Sequence, residues 1–187
     1  MNIKGTVLLA RRAFVQRHFG PDTWEKVLAT LPPEDQATLR KLILNVAWFP
    51  FKLGERLDAA IVRVLAKGDE KVFEQIGRNS ADENLTGAQR SFLVPGDIHA
   101  FLRQTPEIYR FYYDAGHRTY EKTGPTSAVL TTGDADTFSR VDCLTIIGWH
   151  KRALEMCGAR DIKMTEEACR SRGDAHCRYR LEWSAGA

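Results

Sequence analysis

From residue 7 to about 116 the apolar positions recur at three- and four-residue steps, the spacing of helices that bury one face. Val7, Leu8, Ala10, Phe14, Val15 and Phe19 trace the first stripe, closed by Gly20-Pro21. Trp24, Val27, Leu28 and Leu31 share a face of a second helix, capped by Asp22 or Thr23 and ended by Pro32-Pro33. Leu39, Leu42, Ile43 and Val46 read as the inward side of a third, and Trp48-Phe49-Pro50-Phe51 as an aromatic joint. Leu57, Ile61, Val64 and Leu65 mark a fourth helix, stopped by Gly68-Asp69. Val72, Phe73 and Ile76 give a short fifth, after which the polar run 79–86 reads as a loop. Pro95-Gly96-Asp97 opens a longer helical region with Ile98, Phe101, Leu102, Ile108, Phe111 and Tyr112 as core candidates, divided by Pro106.

After residue 116 the period shortens. Runs 117–122 and 127–132, separated by Gly124-Pro125, predict a hairpin. Residues 138–158 return to helix, with Cys143, Ile147, His150, Leu154 and Cys157 along one side. A last hairpin pairs 162–170 with 177–183, where Cys177, Tyr179, Leu181 and Trp183 alternate with Arg178, Arg180 and Glu182. The predicted class is α+β: one domain over 1–187, with a helical layer (1–116) followed by a β-β-α-β-β half (117–187) on a small antiparallel sheet.

Composition narrows the function classes. The chain has 187 residues, 43% of them apolar, which suffices for one sizeable core. Its 27 basic and 24 acidic residues are interspersed and leave a formal charge of +3, so nucleic acid is not an expected partner. No segment has the uninterrupted apolar length of a membrane span, and Lys4, Arg11, Arg12 and Arg17 break up the first twenty residues, so the expected location is cytoplasmic. In that compartment the four cysteines are thiols or metal ligands rather than disulfides.

Cys143, Cys169 and Cys177, with Glu166, fall where a helix and the hairpin after it can converge on one metal ion. Glu166 and Cys169 lie three apart and point to opposite faces of an ideal strand, so joint ligation needs a bulge between them. The same cysteines also suit small buried apolar positions, as does Cys157. Tyr109, Phe111, Tyr112 and Tyr113 crowd one helix end, and Trp149 lies on the helix that should face it; such a seam either holds a small hydrophobic or aromatic ligand or is simply core. Catalysis finds no support: there is no nucleophile elbow and no phosphate-binding glycine loop.

Cys143-Leu144-Thr145-Ile146-Ile147-Gly148-Trp149, Glu166-Glu167-Ala168-Cys169, Gly173-Asp174 and Cys177-Arg178-Tyr179 together resemble the vinyl reductase domain family, related to phenol-sensing bacterial activators and to TRAPP tethering subunits. That resemblance implies a structural zinc held by Cys143, Glu166, Cys169 and Cys177. The opening, Lys4-Gly5-Thr6-Val7, Phe14-Val15, His18-Phe19-Gly20 and Thr23-Trp24-Glu25, resembles heme-nitric oxide/oxygen binding (H-NOX) domains, which implies heme on His99 as proximal ligand. The Tyr-x-Ser-x-Arg signature that holds the propionates is missing, Phe138-Ser139-Arg140 being the nearest approach, so heme is not expected while zinc is. The functional expectation is a non-catalytic, homodimeric sensory domain. It binds its ligand through Tyr109, Tyr112, Tyr113, Trp149 and His99 and relays to a partner protein. The alternatives are an interaction scaffold with a filled core and a heme-based gas sensor.

Overall fold

The computed structural model describes residues 1–65, 68–87, 89–136 and 138–184; the last three positions of the predicted C-terminal half lie outside them. A short strand, β1 (Asn2–Lys4), leads into α1 (Gly5–Phe19), α2 (Pro21–Ala29) and α3 (Pro33–Arg40). Strand β2 (Trp48–Pro50) returns antiparallel to β1, with Ile3 opposite Phe49. Helices α4 (Phe51–Leu65), α5 (Val72–Thr86), α6 (Ile98–Arg103) and α7 (Thr105–Tyr112) complete the helical layer. The remainder is β3 (His117–Gly124), β4 (Ser127–Gly133), α8 (Arg140–Met156), β5 (Arg160–Ala168) and β6 (Cys177–Ser184). These four strands form one antiparallel sheet in the order β3-β4-β6-β5, so the α+β class and the β-β-α-β-β half stand as expected. Pro106 does divide the helical region, sitting in the first turn of α7 where its missing N–H costs nothing.

Two expectations are corrected. Helix α3 ends at Arg40, and Leu42 and Val46 are exposed rather than inward, as is their neighbour Leu44, while Leu39 and Ile43 are buried as expected. The chain there lies across the start of α1, whose first turn has no side-chain cap. The Gly5 N–H donates to the Ala47 carbonyl at 2.8 Å and Thr6 N–H to that of Asn45 at 3.2 Å, so backbone oxygens satisfy donors that a helix start leaves orphaned. A Cβ on Gly5 would meet the Leu44 carbonyl at 2.2 Å, which is why glycine stands there.

The run 79–86 is helix, not loop, because its polar side chains have partners. Asn84 donates to Ser80 Oγ at 3.1 Å and to Tyr112 Oη at 3.0 Å, while Ala81 and Leu85 are fully buried on the same helix. Helix α5 thereby runs its full length against α8. They approach so closely that a Cβ on Gly77 would sit 2.1 Å from the Thr145 carbonyl, and one on Gly148 would sit 1.9 Å from that of Glu74. Helix α8, capped by Ser139 Oγ accepting from the Asp142 N–H, is thus pressed between the helical layer and the sheet. No helix among the described residues is long and apolar enough to cross a membrane.

Candidate functional site

Helix α8 carries two buried clusters. The first is at its N-terminal end, where Cys143 meets the closing hairpin. Its Sγ lies 3.5 Å from Cys169 Sγ and 3.9 Å from Cys177 Sγ, and all three sulfurs lie within 4.8 Å of one another. All four cysteines of the chain are free thiols. The hairpin supplies the geometry: a register shift between Glu166 and Ala168 re-aims the strand end, and Gly173, with φ of +94°, turns the chain back toward Cys177.

Glu166 does not join the thiols. Its Oε2 accepts from Arg140 at 2.7 Å and from Arg172, while its Oε1 is buried without a partner. The Cys177 thiol is held below its ordinary pKa because it accepts from the Cys143 thiol and, less strongly, from the Arg170 N–H; Cys143, as the donor in a buried place, is pushed up. Three soft sulfur donors this close together suit a thiophilic divalent ion, and among the described residues no fourth ligand joins them.

The second cluster fills the seam between the helical layer and the sheet. Tyr109, Tyr112, Tyr113 and Trp149, the predicted aromatic contacts, do line one hollow there, of about 50 Å³. Sequence reasoning missed its charged members. Arg11, from the buried stripe of α1, donates through Nε and Nη2 to Asp58 on α4 at 3.1 and 3.3 Å. Tyr113 Oη donates to Asp142 at 2.9 Å, and Tyr112 Oη to Gln89 at 2.7 Å. Arg118, on β3, donates through Nε to Thr132 Oγ1 at 3.0 Å and lies 5.1 Å above the Tyr109 ring. Its Nη1 faces His150 Nε2 at 3.4 Å, and His150 Nδ1 lies 2.8 Å from the Ile146 carbonyl. Both contacts are met by the neutral imidazole protonated on Nδ1. Burial, then the adjacent Arg118 charge, brings the His150 pKa down to about 3. Burial also lifts Asp142 to about 6 and Tyr109 to about 12.

His99 lies away from this seam. Its ring nitrogens are 2.7 Å from Tyr120 Oη and 2.8 Å from the Pro125 carbonyl, and it packs edge-on to Trp183 in an open cleft of about 450 Å³. A porphyrin therefore does not fit the molecule as packed: the histidine proposed for its iron is tied off, and the seam has room for roughly three or four waters.

No family model matches the chain, and no curated protein does either. Solved structures match over its whole length. An H-NOX protein from S. oneidensis in the Fe(II)NO ligation state superposes with a TM-score of 0.75 at 14% identity, covering 97% of this chain and 99% of that one. An Fe(II) unliganded H-NOX mutant from K. algicida gives 0.74 at 12% identity, with 97% of each chain covered. A structure concerned with heme distortion in the H-NOX family gives 0.75 at 11%, covering 99% of this chain and 97% of that one. The expectation that set heme aside is corrected by these matches, because proteins carrying heme iron share this fold from end to end. What the chain shares with them at such identity is the H-NOX fold.

Proposed function

We propose that the chain is a non-catalytic sensory domain that takes a small ligand between its helical layer and its sheet and relays the change to a partner protein. The single observation that supports this most is the hollow on α8, walled by polar and aromatic groups from both layers. The finer reading is heme-based gas sensing, the alternative that the solved H-NOX proteins support; it requires the two layers to part and His99 to exchange its present partners. The small size of the hollow favours a second reading, a protein-interaction scaffold whose interior is filled by its own side chains. The cysteines Cys143, Cys169 and Cys177 are proposed as a structural metal site, consistent with the vinyl reductase resemblance of that segment.

Purification from heme-supplemented cells separates the readings. A Soret band that disappears in His99→Ala supports gas sensing. A colourless protein whose hydrogen exchange is unchanged by any small ligand leaves only the scaffold.

A further inference from the structure

The hollow in the seam is chemically one-sided. Arg118 is only 5% exposed, and with Nε and Nη1 used on Thr132 and His150 its Nη2 is buried without a partner. The indole N–H of Trp149, which lines the same hollow, is also buried without a hydrogen bond, the nearby Tyr112 Oη being bonded to Gln89 and Asn84. A second guanidinium, that of Arg11, lines the hollow as well, and the described residues of the wall include no carboxylate. Asp58 is committed to Arg11, and Asp142 Oδ1 accepts from Tyr113, its Oδ2 being buried and unpaired.

Arginine keeps its proton and offers only donors, as indole does, so this wall calls for an acceptor carrying negative charge. We propose that the hollow is a binding site for a small planar oxyanion of the formate, nitrite, nitrate or bicarbonate class, received by Arg118 Nη2 and the Trp149 N–H. A space for roughly three or four waters suits an anion of three or four heavy atoms. The planar fork of a guanidinium matches a planar oxyanion edge to edge. This inference rests on reading the seam as a place that takes a ligand, and it concerns the closed packing described above.

The test is the thermal midpoint of the full chain, titrated with formate, nitrate or chloride at constant ionic strength balanced by sulfate. Expected is a saturable rise with formate or nitrate and none with sulfate. The response should vanish in Arg118→Met and need roughly tenfold more anion in Trp149→Phe. If Arg118→Met does not fold, Arg118→Lys keeps the charge but not the fork, and should weaken the response by a similar factor. No saturable response to formate or nitrate up to tens of millimolar, an equal response in the variants, or a response to chloride as strong as to formate overturns the proposal. Anion binding without any change in the exchange protection of α5 and α8 upholds it and sinks the sensory reading. A heme or aromatic compound that occupies the seam where no anion does gives the converse.

Discussion

The two buried clusters on α8 are built on opposite principles. The thiol cluster draws two of its three members from one hairpin, eight positions apart, and the third from the helix just before it. The seam draws Arg11, Asp58, Arg118 and His150 from four elements spread over 140 positions of sequence. At the thiols, soft sulfur groups are placed by local chain geometry. In the seam, full charges are placed by the packing of two layers, and each is costly unless its partner arrives from elsewhere. Local construction makes a site legible and tolerant; distant construction makes it hidden and dependent on the whole fold.

That contrast can be broken in several ways. Asp58→Ala should be the most damaging change, by about 3–5 kcal/mol in chemical denaturation, because Arg11 is left charged and buried. A loss below about 1 kcal/mol would show that the seam does not depend on its pairs. Gly148→Ala puts a methyl into the Glu74 carbonyl and should cost about 3 kcal/mol by forcing α5 from α8, with both clusters loosened together in hydrogen exchange. Loosening at one cluster only would separate them.

The Asp142 carboxyl, ordinarily near 3.8, is lifted to about 6 in the folded chain by burial. A raised carboxyl favours the native state fully below the unfolded value, and that advantage is lost as pH rises through the folded one. Asp142→Asn should therefore gain on the parent by roughly 2–3 kcal/mol between pH 4 and 7.5. His150 runs the other way in both chains, its stabilisation falling away as pH drops from its ordinary 6.5 toward 3. The difference between the chains isolates Asp142, and a flat difference would refute its buried charge. Cys143→Ser should cost only about 1–2 kcal/mol in metal-free protein, since a hydroxyl replaces a thiol among neighbours that can still bond it. The loss should grow when zinc is supplied to the parent and not to the variant; an unchanged gap would argue against the metal site. Smallest of all, Leu42→Ser should stay within about 0.5 kcal/mol.

Much of the architecture was legible because burial follows periodicity. The alternation of Cys177, Tyr179, Leu181 and Trp183 on β6 is realised residue by residue, and Pro106 divides its helices as its geometry requires. The thiols were legible because their spacing is local. The run 79–86 misled because Asn84 and Ser80 look solvated in isolation, and only Tyr112, 28 positions later, explains them. Leu42 and Val46 misled for the converse reason, being apolar yet outside. A signal for the seam did exist: Arg11 occupies a core phase of the α1 stripe between Ala10 and Phe14, and Asp58 follows Leu57 inward on α4. A charge on a buried phase asks for a partner, but the sequence does not say from where. The heme question was misjudged because a missing signature describes a cofactor's anchors and not the fold around them.

The strap that closes over the start of α1 does so with carbonyl oxygens from Ala47 and Asn45. Every amino acid brings such an oxygen, so the fastening is indifferent to composition. Residues 42, 44 and 46, whose side chains are exposed, are therefore places where randomisation should return mostly folded clones, a natural point for attaching a probe or a tether.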